Sequence, residues 1–325
     1  MSLYLKYRPA TFDGLVWQDA LKSIILHQIK TDKVFHNYLF CGGRGTGKTS
    51  TARLLAQAVN CRKLEDWSPD FSDPLATLIR DNKTIDVIEI DAASHTWVDN
   101  IREEIIEKSS YPPAQLKKKV YIIDEVHMLS KGAFNALLKI MEEPPSYLMF
   151  ILATTELHKV PETIVSRCQV FNFKQLTVDQ VVNQLQSIAD QESIKTTQEW
   201  LHMIAKLSGG AMRDAIKYLE QVSMLGDINP VNVSQFLGIA SDDMIYSIIQ
   251  AILQNDSKAL YWYLEELSQW GTDMIQLIKD CMSYCNNNFE KDPLEYARIA
   301  SQLKELYQNI KRYPNGLLAR KVTFL

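Results

Sequence analysis

Apolar positions in the first half of the chain fall in short continuous runs, separated by longer stretches with helical spacing. Asn37–Cys41, Ile85–Ile90, Val120–Asp124 and Leu148–Thr154 are rich in β-branched and aromatic residues and bounded by polar or turn residues, which predicts buried strands. Between them Ser50–Val59, Val98–Lys108 and Ala133–Met141 repeat their apolar residues as helices do. Strands alternating with helices predict a mostly parallel sheet covered on both faces.

After Phe173 the strand pattern stops. Thr177-x-x-Gln180 reads as a capping box opening a helix, and further helices are predicted over Glu199–Leu207, Ala211–Leu225 and Met244–Leu253. Three more follow over Lys258–Trp270, Asp273–Asn286 and Leu294–Lys311. Breaks at Asp227–Pro230 and Gly238–Asp243 suggest three parts: an α/β domain over 1–175, a small helical domain over 176–240 and a second helical domain over 241–325. The apolar stripes here, Tyr261-Trp262-Tyr263 included, read as packing surface. Cys281 and Cys285, four apart on one helix face within such a stripe, read the same way.

Composition narrows the class. A chain of 325 residues suits two or three domains, and 46% hydrophobic with 23% charged residues excludes a disordered chain. The net charge of -4 excludes a DNA-coating protein, so any nucleic-acid contact must be a local patch. Five scattered cysteines make no disulfide framework. The start lacks the apolar core of a signal peptide and no run of about 18 apolar residues occurs, so no membrane contact and a cytoplasmic setting are expected.

The chemistry sits first in Gly42-Gly43-Arg44-Gly45-Thr46-Gly47-Lys48-Thr49, with Ser50 following, placed between a predicted strand and a predicted helix. This is the P-loop pattern. Glycines let backbone N–H groups turn tightly around anionic phosphates at a helix N-terminus, Lys48 reaches the β- and γ-phosphates, and the Thr49 hydroxyl ligates Mg²⁺. Farther on, the apolar strand Val120-Tyr121-Ile122-Ile123 ends in Asp124-Glu125. Asp124 is expected beside the metal, and Glu125 to polarise the attacking water. ATP and Mg²⁺ are therefore the expected ligands. Taken alone, Arg167 in Ser166-Arg167-Cys168 and Arg213 in Gly209–Asp214 are ordinary surface arginines.

Read with their neighbours, these motifs resemble the gamma/tau clamp-loader subunits of bacterial DNA polymerase III. The match runs through Lys6-Tyr7-Arg8-Pro9, Tyr38-Leu39-Phe40 and the P-loop, Asp86–Ser94, Val120–Ser130 and Phe134–Lys139. It continues through Glu142-Glu143-Pro144-Pro145, Leu152–Glu156, Ser166–Cys168 and Gly210–Asp214. The resemblance implies a AAA+ fold: an α/β P-loop ATPase domain with a parallel sheet, a small helical lid and an all-α collar domain. It implies that Tyr7, Arg8 and Pro9 line the adenine pocket and that Thr155 senses the γ-phosphate. Arg167 would act as a finger on a neighbour's ATP, and Arg213 would act from the lid.

The implied function is ATP-driven opening of a sliding clamp and its placement on primer–template DNA. Implied partners are delta-like and delta prime-like subunits or further copies of this chain. A non-hydrolysing structural subunit of the same complex and a branch-migration AAA+ motor are the competing readings. The chain also departs from the family. In place of a zinc module's later cysteines, Cys61 is followed by Asp70, Asp73 and Ala76, so no zinc is expected. Trp17 replaces a glycine, and Gly43 stands where relatives often carry proline. His95-Thr96-Trp97 occupies a loop that is often basic, which leaves Thr96, Arg102 and Lys139, with Lys131 weaker, as expected DNA contacts. Ending at Leu325 without a long tail, the chain suggests a truncated cellular or a phage-encoded form.

Overall fold

A computed structural model describes residues 2–15, 18–61, 64–65, 68–70, 72–94, 105, 108–225 and 230–312. Contacts divide the chain into two compact units, one comprising Met1–Val181 with Ser208–Ile216 and the other Val182–Leu207 with Lys217–Leu325.

The first unit is built on a sheet of five parallel strands. In chain order they are β1 (Asn37–Gly42), β4 (Val87–Asp91), β5 (Lys119–Asp124), β6 (Leu148–Thr154) and β7 (Gln169–Phe173), with a two-strand ribbon of β2 (Leu64–Glu65) and β3 (Ser68–Pro69) set apart. The sheet order is β4-β5-β6-β1-β7. Every pairing within it is parallel. All four expected strands are present. The apolar run after Arg167 forms the fifth, β7, at the sheet edge, with Phe171 and Phe173 buried and Asn172 exposed between them.

Alternation along the strands feeds two cores. Tyr38, Phe40, Val120, Ile122, Met149, Ile151 and Ala153 face one side, where α2 (Asp19–Lys30), α3 (Lys48–Asn60) and α4 (Pro74–Arg80) add Ile25, Leu55 and Ile79. Leu39, Cys41, Tyr121, Ile123, Phe150 and Leu152 face the other, where α5 (Lys131–Glu142) adds Phe134 and Leu137. Central strands buried on both faces read as continuous apolar runs for this reason. Short helices α1 (Leu3–Lys6) and α6 (Glu162–Val165) complete the α/β part. The helix expected over Val98–Lys108 falls mostly outside the described residues.

The carboxylate of buried Asp86 pins the approach to β5 by accepting backbone N–H groups of Ala114, Gln115 and Leu116 at 2.8, 2.7 and 3.0 Å. The capping box is present. Thr177 N donates to Gln180 Oε1 at 2.9 Å, and Gln180 N donates to Thr177 Oγ1 at 3.3 Å, opening α7 (Val178–Gln191).

The remaining helices are α8 (Gln198–Ser208), α9 (Met212–Ser223), α10 (Pro230–Leu237), α11 (Asp242–Leu253), α12 (Ser257–Gln269), α13 (Met274–Asn287) and α14 (Pro293–Arg312). Ser241, Asp256 and Asp273 cap α11, α12 and α13 by accepting first-turn N–H groups. Ile245 and Ile248, Leu260 and Leu264, and Ile299 and Leu303 stand three or four residues apart on their helices and, with Leu277 and Ile278, close the core of the second unit. Cys281 and Cys285 lie inside it, and burial pushes the Cys285 thiol up to about 11 and the Cys281 thiol higher still. Both are packing residues. Among the described residues no helix is long and apolar enough to cross a membrane.

Candidate nucleotide site

The site forms where β5, β6 and β1, adjacent in the sheet, reach their C-terminal ends, the edge on which open α/β sheets bind ligands. From β1 the chain turns through Gly42–Gly47 into α3. Gly45 holds φ +74°, and a Cβ there would sit 2.9 Å from that of Ala211, so only glycine lets the turn approach so closely. Thr46 closes the turn by donating its hydroxyl to the Gly43 carbonyl at 2.8 Å, while Arg44 is exposed and Ser50 half-buried.

Lys48 is buried, and its ammonium donates to the carbonyls of Gly42 and Gly43, each at 2.8 Å. Burial lowers its pKa, opposed by the carboxylates of Glu125 and Asp124. The Thr49 hydroxyl donates to Asp124 Oδ2 at 2.6 Å. The other oxygen of that carboxylate accepts the Glu125 N–H at 3.0 Å.

Glu125 sits at φ 48° in the left-handed region, where a residue with a side chain is strained. Its Oε2 accepts both the Thr155 N–H at 3.1 Å and the Thr155 hydroxyl at 2.9 Å. Thr155 thus stands at the end of β6 as a partner of Glu125.

The N-terminal segment lies against the same loop. Arg8 Nε donates to Ser50 Oγ at 3.3 Å. Burial lowers the Arg8 pKa and the nearby Arg53 and Arg213 lower it further, while Glu89 and Asp124 oppose them. Arg213, in the first turn of α9, lies with its guanidinium carbon 5.0 Å from the Tyr4 ring centroid, a cation–π contact. Tyr7 terminates α1 through its N–H to Leu3 O at 2.9 Å, and Pro9 follows half-buried.

Arg167 is elsewhere. Its carbonyl accepts Asn37 Nδ2 at 3.2 Å, which ties it to the N-terminal end of β1, the end opposite the P-loop. Six residues of strand put on the order of 17 Å between those ends. Its guanidinium donates to Glu142 Oε1 at 2.6 Å and to the Thr163 carbonyl at 2.8 Å. Lys139 and Lys131 are exposed on α5. Thr96 and Arg102, together with Trp17, His95 and Trp97, lie outside the described residues.

The four positions compared with the family's zinc cysteines are packing, turn and capping residues. Cys61 is buried, with its thiol pushed up to about 12. Asp73 accepts Leu75 N at 3.0 Å to cap α4, Asp70 accepts Ser72 N at 2.8 Å, and Ala76 is core.

Four side chains at the site were not among the expected site residues. Arg53 on α3 makes a two-pronged ion pair with Glu89 on β4, both contacts at 2.6 Å. His127 and Glu156 lie beside Glu125 and Thr155. An ionisable residue just after a strand end is the signal that points to His127 and Glu156, whereas Arg53 and Glu89 are paired only by folding.

The parallel sheet, the P-loop between β1 and α3 and the acidic pair at the end of β5 define a P-loop protein of the AAA+ class. The Thermotoga maritima RuvB Holliday junction branch migration motor shares the fold, with a TM-score of 0.53 at 18% identity over 82% of this chain and 86% of that one. Within that class the sequence relatives are specific. A family model described as "DNA polymerase III, delta subunit" matches residues 17–177, and one described as "DNA polymerase III clamp loader subunit, ATPase lid domain" matches 180–227. The chain is 42% identical to the DNA polymerase III subunit tau of Bacillus subtilis over 95% of its own length and 56% of the relative's. It is 34% identical to the subunit gamma of Buchnera aphidicola (subsp. Acyrthosiphon pisum), covering 94% of this chain and 87% of that protein. The chain belongs to the gamma/tau family of DNA polymerase III subunits. It spans about half the length of the tau relative it matches in Bacillus subtilis.

Proposed function

We propose that the chain is an ATPase subunit of a replication clamp loader, which uses ATP to open a sliding clamp and place it on primed DNA. The observation that carries this is the convergence of Lys48, Thr49, Asp124, Glu125 and Thr155 at adjoining strand ends. Lys48 would leave the loop carbonyls for the phosphates, and Arg8 with Arg213 would meet further negative charge. The Thr49 hydroxyl and Asp124 carboxylate are hard oxygen donors close enough to share one ion, which fits Mg²⁺. That ion would neutralise phosphate charge as the transferred group develops it. Glu125 orients water so that its oxygen bonds to the γ-phosphorus as the bond to the β–γ bridging oxygen breaks. The water proton passes to the carboxylate, and ADP leaves.

The placement of Arg167 at the opposite end of β1 supports its role on a neighbouring subunit's ATP. On this reading the partners are delta-like and delta prime-like subunits or further copies, in a cytoplasmic assembly. The division into an ATPase domain over 1–175, a lid over 176–240 and a collar over 241–325 belongs to the same proposal. DNA contact would fall to Thr96, Arg102 and Lys139, and no zinc is bound. ATP and DNA are coupled because each favours the same closed ring.

A second reading, a structural subunit without turnover, takes support from the delta-subunit description matched by residues 17–177. The complete set of phosphate, metal and water-directing side chains favours the first. The test is ATP turnover with and without sliding clamp and primed DNA, in the parent chain, Lys48→Ala and Glu125→Gln. Stimulated turnover lost in both variants supports the proposal; binding without turnover in the parent supports the second reading.

A further inference from the structure

Behind Glu125 lies a buried imidazole that the proposed chemistry does not use. The side chain of His127 is only 6% exposed and sits between two carboxylates. Its Nδ1 is 2.9 Å from Thr154 Oγ1 and 3.4 Å from Glu125 Oε2, and its Nε2 is 3.1 Å from Glu156 Oε2.

Thr154 Oγ1 accepts the Glu156 N–H at 3.0 Å and also lies against His127 Nδ1, so the hydroxyl ties the ring to the turn that follows β6. At the other edge of the ring Nε2 faces the Glu156 carboxylate, which fixes the plane of the imidazole. Glu156 is itself held from outside, where Lys159 donates to the same Oε2 at 2.7 Å. That bond keeps the Glu156 carboxyl below its usual value, with His127 and His158 acting in the same direction. The order is therefore Lys159, Glu156, His127, Glu125, running from an exposed ammonium inward to the carboxylate at the strand end.

We propose that His127 is a positioning residue for Glu125, with its ring fixed by Glu156 and Thr154 so that its Nδ1 edge limits where the Glu125 carboxylate can swing. Glu125 has two such limits: Thr155 grips Oε2 from the end of β6, and His127 backs the same oxygen from the turn after β5. A carboxylate that orients water must keep one oxygen turned toward the phosphates, and a wall on the other oxygen does that without touching nucleotide. Glu156 acts only through the imidazole.

This inference rests on Glu125 being the water-directing group, and the experiment separates the two. Steady-state ATP turnover and nucleotide-binding titrations are compared for the parent full chain, Glu125→Gln, His127→Ala, His127→Asn, Glu156→Ala and the His127→Ala/Glu156→Ala double variant. His127→Ala is expected to lower kcat about tenfold with KM for ATP and nucleotide affinity changed less than about twofold. His127→Asn, whose amide reaches the Nδ1 position, recovers most of that loss. Glu156→Ala lowers kcat alone but adds nothing in the His127→Ala background, because the two act in series.

A His127→Ala variant with normal kcat overturns the inference, as does a double variant slower than His127→Ala by the full Glu156→Ala factor. If Glu125→Gln itself leaves turnover intact, the proposed function fails first. Nucleotide affinity retained by His127→Ala shows that the fold around the P-loop persists.

Discussion

The Thr49 hydroxyl and the Asp124 carboxylate, 75 residues apart in the chain, meet at 2.6 Å where α3 begins and β5 ends. Each terminates a different element, so the pair registers the P-loop helix on the sheet and presents two hard oxygens side by side. If these oxygens hold Mg²⁺ against phosphate, Thr49→Val and Asp124→Asn lose the metal's share of binding. Nucleotide titrations in Mg²⁺ should give each variant the affinity that the parent shows in EDTA. Turnover should fall by about 100-fold or more, since metal stabilisation of the transferring group is worth several kcal/mol. Parent-like, metal-dependent affinity in Asp124→Asn would remove the carboxylate from the metal site.

Gly42 links that site to the edge strand. It holds φ +149°, and a Cβ on it would lie 2.4 Å from the Phe173 carbonyl oxygen on β7. The obstacle is backbone, so no side chain can swing aside. Gly42→Ala should cost about 2–4 kcal/mol through strain and lost β1–β7 pairing. At roughly 2–4 °C per kcal/mol, the melting temperature should fall by about 8 °C, read in a thermal melt without nucleotide. A melt within about 1 °C of the parent would show that β7 moves freely at that point.

The elements legible in the sequence were those whose signal is local. Leu148–Thr154 is apolar at every position because both faces of β6 are covered, and its expected limits are those observed. The Thr177–Gln180 box was legible because both hydrogen bonds close within one helical turn. Two elements were obscured by competing local signals. In β7, polar Gln169 and Asn172 interrupt an edge strand that needs only one buried face. At α10, Pro230 opens the helix as a first-turn residue although a proline in isolation reads as a break.

In the site, the phosphate loop and the acidic strand end were legible because their chemistry requires a contiguous pattern. Partners brought together only by folding were not. Nothing local to Arg53 points to Glu89, 36 residues on, and nothing in Asn37 announces that its amide will hold the Arg167 carbonyl 130 residues later. Asp86 is similar: three N–H groups on one carboxylate are visible only once the segment before β5 folds over it.

A stability prediction concerns Asp280 on α13 in the helical unit. Burial pushes its carboxyl above the ordinary value of 3.8, and Asp242 adds to the rise, while the Gln276 hydrogen bond, Lys206 and Lys279 oppose it. A carboxyl that holds its proton more tightly when folded favours the folded state below the unfolded pKa. That contribution is lost as pH rises through the folded value, leaving a cost at neutral pH. Asp280→Asn keeps an acceptor for Gln276 Nε2 at 2.9 Å and removes the charge. It should raise the melting temperature by about 3 °C at neutral pH, with the gain shrinking toward about pH 4. A gain independent of pH, or a loss at pH 7, would contradict burial as the dominant cause.

Arg167 offers the most direct test of subunit sharing. Its guanidinium is held within its own chain by Glu142 at 2.6 Å and the Thr163 carbonyl at 2.8 Å, and its carbonyl is tied to the end of β1 opposite the P-loop. Both contacts are exposed, so the ion pair is worth on the order of 1 kcal/mol or less and yields readily to a phosphate brought by a neighbour. Arg167→Ala should therefore bind nucleotide as the parent does and lose most turnover, because its own P-loop is intact while its neighbour's site lacks a cation. Mixing Arg167→Ala with Lys48→Ala chains should restore part of the turnover in assemblies that contain several copies. In those assemblies the interface between an intact Lys48 and an intact Arg167 is complete. Glu142→Gln should leave nucleotide affinity unchanged and raise turnover modestly by releasing the guanidinium. Full turnover in Arg167→Ala would place the finger elsewhere, and mixtures no faster than the average of the separate variants would deny sharing between copies.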